Sequence, residues 1–269
     1  MAYSAGLGLA DAAYFDTTRP GGVVAHPLFP VAVEWALLTS VASSIDYGLT
    51  QSEVLRGVHA GHEMVLHRPI RQGDEVSVTG TVAGVETTSA GARVTVRLEA
   101  VDLARDEQPI WTTWYVTLYR GAAVDGVDVA PARRPLPASP RSESEVVAER
   151  RVVPVDANAA HVYTECARIW NPIHTDLAVA NAAGLSATIL HGTATLALGV
   201  TSTLEMVGGS AAAVRRIAGS FRAMVPMPNT LAVELLSADT TATSTEARFQ
   251  VRNDAGDVAV RDALVEIGR

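Results

Sequence analysis

Two stretches of this chain read alike at an offset of 157 residues (226 − 69), and that repetition constrains the fold more than any single motif. The first is Pro69-Ile70-Arg71-Gln72-Gly73-Asp74-Glu75-Val76-Ser77-Val78; the second is Pro226-Met227-Pro228-Asn229-Thr230-Leu231-Ala232-Val233-Glu234-Leu235. In each, proline and a Gly- or Asn-containing turn lead into an alternating run, the period-two pattern of a half-buried strand. Two more alternating runs follow each copy, at 93–102 and 110–119, then at 245–253 and 257–267. Apolar, Ala/Leu-rich helical text precedes each set of strands, at 31–44 and 191–206. Between the copies, residues 121–150 hold Pro131, Pro135, Pro137, Pro140 and a Ser/Glu-rich run. Clustered proline blocks regular structure, so this segment reads as a linker. Helix first and antiparallel strands after, twice over, predicts an α+β chain of two similar units, 1–120 and 151–269, joined by 121–150.

Composition narrows the function. Of 269 residues, 48% are hydrophobic and 19% charged, which suits a packed core rather than disorder. A net charge of −8 argues against nucleic acid as a partner, and an anionic ligand has to find local arginines. Cys166 is the lone cysteine, which excludes an internal disulfide and a cysteine-based zinc site. His59, His62 and His67 do not form a metal-binding pattern: no His-Glu-x-x-His helix is present, and on a regular strand residues 59 and 62 point to opposite faces. No Gly-x-Gly-x-x-Gly follows a strand and no phosphate-binding loop appears, so no cofactor is expected. The N-terminus lacks the pattern of a signal peptide, and no apolar run reaches the roughly 18 residues of a membrane span. A cytoplasmic protein is expected.

The chemistry concentrates in Trp170-Asn171-Pro172-Ile173-His174-Thr175-Asp176 and Ile189-Leu190-His191-Gly192-Thr193. The first block is read as ending a strand, to which Cys166 would belong, and opening a helix, with Asn171 as N-cap, Pro172 at N1 and His174 at N3. The positive end of that helix would hold the imidazole neutral and hence available as a base. Thr175–Ala183 reads as a short helix closed by Gly184. Gly192 opens a second apolar helix, and the N–H of Gly192 or Thr193 is free to donate to a carbonyl oxygen.

These blocks carry a family resemblance. Asn-Pro-Ile-His-x-Asp followed by an apolar helix starting at His-Gly resembles the signature of MaoC-like enoyl-CoA hydratases and dehydratases, over about residues 160–205. His26-Pro27-Leu28-Phe29-Pro30 and His62–Ile70 resemble the degenerate first half of the double hot-dog members. The resemblance implies two antiparallel sheets, each wrapping a central helix. It implies a carbon–oxygen lyase that hydrates a 2-enoyl thioester, or dehydrates a 3-hydroxyacyl thioester, of CoA or acyl carrier protein in fatty acid or polyketide metabolism. His174 would be the acid or base, Asn171 would orient a water, and the Gly192 and Thr193 amides would polarise the thioester. His191, Trp170, Arg222 and Arg68 would contact substrate, the two arginines through nucleotide phosphates. The chain would form a homodimer or pair with another hot-dog subunit.

One departure matters. The family places an Asp five residues before the motif His, and 174 − 5 is Ile169. Glu165, four residues back on the expected strand, would be roughly 13 Å away. Asp176 would point away from His174 and stand as a solvated first-turn acid. Glu34 or Glu63 of the first half could supply the acid. The alternatives are a non-catalytic thioester-binding or pairing subunit, and a hot-dog thioesterase with no dedicated nucleophile or base beyond His174.

Overall fold

The structure is a computed structural model that describes residues 1–44, 47–132 and 146–269. Among these residues, nine strands form one antiparallel sheet. They are β1 (Gly57–Leu66), β2 (Val76–Thr88), β3 (Gly91–Asp102), β4 (Gln108–Arg120), β5 (Glu149–Val155), β6 (Val214–Phe221), β7 (Asn229–Thr240), β8 (Ser244–Arg252) and β9 (Val258–Gly268). Their order is β2-β3-β4-β1-β6-β9-β8-β7-β5. In the first copy β2, β3 and β4 run from the edge inward and β1 lies at the centre; in the second, β7, β8 and β9 run inward to β6 at the centre, with β5 added outside β7. The two copies mirror one another across the β1–β6 pair, which is the arrangement of two hot-dog units sharing a sheet. Both repeated proline turns sit where expected, ahead of β2 and β7.

The seam pairs Gly61↔Ser220 through Val65↔Arg216. Glu63, fully buried on β1, accepts from Arg216 Nε at 2.8 Å across it. That ion pair commits Glu63 to holding the halves together. The expected linker begins by following the first unit: Val129 pairs with Val85, and the Thr87 N–H donates to Asp128. Residues 133–145 of it lie outside the described residues.

Seven α-helices are described: α1 (Ala2–Gly6), α2 (Ala12–Phe15), α3 (Pro30–Ser44), α4 (Gln51–Val54), α5 (Ala159–Ala167), α6 (Leu177–Ala182) and α7 (Gly192–Val207). No helix among the described residues is long and apolar enough to cross a membrane. Helix α7 packs on β7, β8 and β9, burying Leu196, Val200 and Leu204 against Phe249, Val251 and Val265. Gly199 permits the close approach, since a Cβ there would lie 2.7 Å from Phe249 and 2.9 Å from Val251. Overpacking at such a contact costs about 1–3 kcal/mol, and a β-branched residue gains little helix propensity to offset it. Gly199→Val is therefore expected to lower stability by about 2 kcal/mol in denaturant unfolding. An unchanged midpoint would show that the helix does not bear on the sheet this closely.

Helix α3 is the counterpart of α7. His26, just before it, accepts the Leu28 N–H on Nδ1 at 3.0 Å, and its Nε2 meets Thr201 Oγ1 of α7 at 3.0 Å. The two central helices are thereby tied at one point.

Two expectations are corrected. The segment before Trp170 is a helix, α5, not a strand. Its buried residues Ala160, Tyr163, Thr164 and Ala167 recur at helical spacing, and Arg168 in the left-handed region ends it. Cys166 thus sits on a helix, packed against Gly6 of α1, and Glu165 is exposed. The second correction concerns His59 and His62. A register shift between His59 and Gly61 inserts an extra residue, so both rings fall on one side, 5.5 Å apart.

Candidate active site

The helix start that matters is held from three sides. The Leu190 N–H donates to the Val225 carbonyl at 2.8 Å, and the Met227 N–H to Thr188 at 3.2 Å. These bonds run 188–190 alongside 225–227 and aim His191 and Gly192 inward. The Phe221 ring packs against Gly192, where a Cβ would lie 3.0 Å from it, so a side chain there would have to push the ring aside. His191 occupies the N-cap position without a side-chain cap bond. The Gly192 and Thr193 N–H groups belong to the first turn, which has no carbonyl partners within the helix.

His174 arrives on a different device from the one expected. Pro172–His174 is a single 3₁₀ turn, capped by a long 3.5 Å bond from the Ile173 N–H to Asn171 Oδ1. The chain then restarts as α6, with exposed Asp176 as its N-cap, accepting from the Ala178 and Val179 amides. So short a turn carries little dipole, and burial does the work assigned to it. Desolvation lowers the His174 pKa to about 4, against a smaller opposing pull from the Ile189 carbonyl.

The partners fix both tautomers. His174 Nδ1–H donates to the Ile189 carbonyl at 2.8 Å, which leaves Nε2 as the lone-pair nitrogen. His191 Nε2–H donates to the Ile169 carbonyl at 3.2 Å, and its Nδ1 is buried without a partner. Burial, then the neighbouring His174, lowers the His191 pKa to about 2. The two rings stack with centroids 3.6 Å apart. Two neutral imidazoles tolerate that contact, whereas two imidazolium ions would not.

These groups open on a cavity of about 530 Å³, within the range of small-molecule sites. Asn171, His174, His191, Gly192, Thr193 and Arg222 all line it. Ile169 lines it too, 5% exposed and without a proton to offer. Two expected contacts do not. Trp170 is 57% exposed and outside the lining. Arg68 lies outside it as well, with its guanidinium held by Asp74 at 2.8 Å and Asp102 at 2.6 Å. Both carboxylates are buried and shared with Arg105, so releasing Arg68 to bind phosphate would give up two short, largely buried ion pairs.

The first half supplies the facing wall: Glu34 and Trp35 from α3, His59 from β1 and Tyr115 from β4. His59 stacks on Tyr115 at 3.9 Å and touches Phe221 at 4.6 Å. Sequence reasoning passed over His59 and Tyr115 as cavity residues. It named Glu34 without placing it, although a single acid within Pro30-Val31-Ala32-Val33-Glu34-Trp35 is itself a signal. No cluster of His, Cys, Asp and Glu fit to hold a metal ion occurs among the described residues.

Comparison with known proteins bears on the family and the fold. Residues 140–259 match the MaoC like domain, and residues 2–113 match the FAS1-like dehydratase domain region. Over 80 residues the chain is 35% identical to a UPF0336 protein of Clavibacter michiganensis subsp. michiganensis, a match covering 30% of this chain and 52% of that relative. A MaoC-like dehydratase from Phytophthora capsici superposes with a TM-score of 0.79 at 17% identity, covering 99% of this chain and 90% of the other. A Mycobacterium tuberculosis protein described as having a double hot-dog fold superposes with a TM-score of 0.59 at 16% identity, covering 99% and 89%.

Proposed function

Because the chain joins a FAS1-like dehydratase region to a MaoC-like dehydratase domain, and so belongs with the MaoC-like dehydratases, we propose that it interconverts 2-enoyl and 3-hydroxyacyl thioesters of CoA or acyl carrier protein in the cytoplasm. The units are assigned to 1–120 and 151–269, with 121–150 between them. The observation that carries the reading is one cavity receiving both an imidazole with a bare nitrogen and the amides of a helix start. The amides of Gly192 and Thr193 draw charge onto the thioester oxygen, which acidifies the α carbon. Each such donor contributes about 3 kcal/mol to an enolate-like transition state. His174 Nε2 moves the α proton, and its low pKa keeps it in the base form at neutral pH. Arg222, on the cavity wall, serves an anionic portion of the substrate.

The test is absorbance. Purified protein mixed with crotonyl-CoA should bleach the enone band as the double bond is hydrated, and 3-hydroxybutyryl-CoA should generate it. Thermal stabilisation by these thioesters with no change in the band would instead favour a thioester-binding subunit, the reading that Ile169 in place of an acid suggests.

A further inference from the structure

Removing water across two adjacent carbons calls for two groups. When the C–H and C–O bonds break together, the imidazole is still taking the α proton while the departing oxygen needs one, so a separate donor serves the oxygen. Ile169 cannot help. Glu63 is bound to Arg216, and Glu165 and Asp176 are exposed. Among the described residues lining the cavity, Glu34 is the one carboxyl.

Its setting is unusual. Glu34 is 1% exposed; Oε1 accepts from Trp111 Nε1–H at 2.8 Å, the Thr113 hydroxyl lies near enough to favour its charged form, and Oε2 makes no hydrogen bond of good geometry. Leaving a buried carboxyl half engaged is costly, so it calls for an explanation. Two lines of contacts lead from its surroundings to the helix start. Glu34 acts electrostatically on Tyr3, the Tyr3 hydroxyl accepts from Tyr163 at 3.2 Å, and Tyr163 meets Thr193 Oγ1 at 3.1 Å. Glu34 also acts on Tyr115, whose ring stacks on His59, which touches the Phe221 ring lying on Gly192. Both lines end at the first turn of α7, beside His191 and His174.

We infer that Glu34 is the second catalytic group of this cavity, a contribution of the first half that replaces the acid absent at Ile169. The inference rests on the dehydratase reading above. In dehydration, His174 Nε2 takes the α proton and the C–H electron pair becomes the double bond. The β C–O pair leaves with oxygen, Glu34 Oε2–H protonates it, and water departs. In hydration, the Glu34 carboxylate takes a proton from the attacking water and the His174 imidazolium returns one to the α carbon.

Burial pushes the Glu34 carboxyl up to about 7, while burial holds His174 near 4. Between those values the resting pair is imidazole plus carboxylic acid, the form from which dehydration starts. The pair that hydration needs has the same number of protons. kcat/KM in both directions should therefore follow one bell, falling below about 4 and above about 7. Tyr3 of α1 and Tyr115 of β4 feel the Glu34 charge, and burial pushes both hydroxyls above their ordinary value. Neither carries charge in this range.

The variant is Glu34→Gln, whose amide oxygen still accepts from Trp111. Dehydration of 3-hydroxybutyryl-CoA and hydration of crotonyl-CoA are followed against pH, with melting temperatures alongside. The expected result is a kcat lower by about 100-fold or more, little change in KM, and loss of the alkaline limb. A merely structural role would leave that limb in place. A second measurement does not need turnover. Infrared difference spectra on binding a non-reactive thioether analogue of 3-hydroxybutyryl-CoA should show a carboxylic C=O band shift in the parent that is absent in Glu34→Gln. A kcat within a few-fold of the parent with the limb retained, or no carboxyl shift on binding, overturns the inference. A parent inactive on every enoyl and 3-hydroxyacyl thioester overturns the dehydratase reading itself, and the infrared result still decides whether Glu34 touches the ligand.

Discussion

Replacing His174 with alanine should lower turnover of a confirmed enoyl or 3-hydroxyacyl thioester by about 10²–10⁴-fold, the usual worth of a general acid or base. The imidazole is held by one bond, from Nδ1–H to the Ile189 carbonyl, and by its stack on His191. Neither contact supports much of the fold. The backbone of the 3₁₀ turn is kept by Asn171 and Pro172, so the cavity should keep its shape. The Gly192 and Thr193 amides also remain, which means substrate should still bind and KM should move little. The loss belongs in kcat. Rates at saturating and limiting thioester separate the two, and thermal unfolding monitors the fold. Activity within a few-fold of the parent would make His174 a packing residue and would remove the base from the mechanism.

Placing a carboxylate where related dehydratases keep theirs should harm this protein. Ile169→Asp exchanges a buried apolar side chain for one with less apolar surface and a charge. The lost burial alone is worth about 2 kcal/mol, and desolvating the acid adds to it. The site offers no compensation in kind, because both adjacent imidazoles are held neutral by burial. An anion there would favour protonated His174, which takes the base away. The expected outcome is a melting temperature lower by roughly 5–10 °C and a slower reaction in both directions. If crotonyl-CoA hydration instead rises by tenfold or more while the melting temperature holds, the Asp–His pair is what the chain lacked, and Glu34 is not its substitute.

Elements declared by local text could be read from one dimension. The period-two runs that became β3, β4, β8 and β9, the apolar helices α3 and α7, and the Asn171-Pro172 cap all rest on residues within a few positions of one another. Such preferences act before any tertiary contact forms. The repeated proline turns likewise pointed to two similar sets of strands, since each copy carries the same kind of local instructions; that the sets mirror one another was decided by the sheet. Where the local text was misread, the error was one of period. Ala160, Tyr163, Thr164 and Ala167 spell a helix, but the expectation of a strand before the motif hid it.

Contacts between distant residues decided the rest. Arg68 was a candidate for phosphate until Asp102, 34 residues away, was brought against it. His59 and His62 were assigned opposite faces until a bulge turned them to the same one. His174 was expected to be neutral because of a helix dipole, yet the cause is burial beneath segments that close over it only in the assembled fold. Glu34 is the largest case. Its sequence neighbours say only that an acid stands in an apolar helix. That it lines the same cavity as His174 depends on β1 pairing with β6 and on the two halves sharing one sheet. Local periodicity reports which face of an element is buried; which residues of separate elements then share a cavity is set by long-range packing, and no window of sequence contains it.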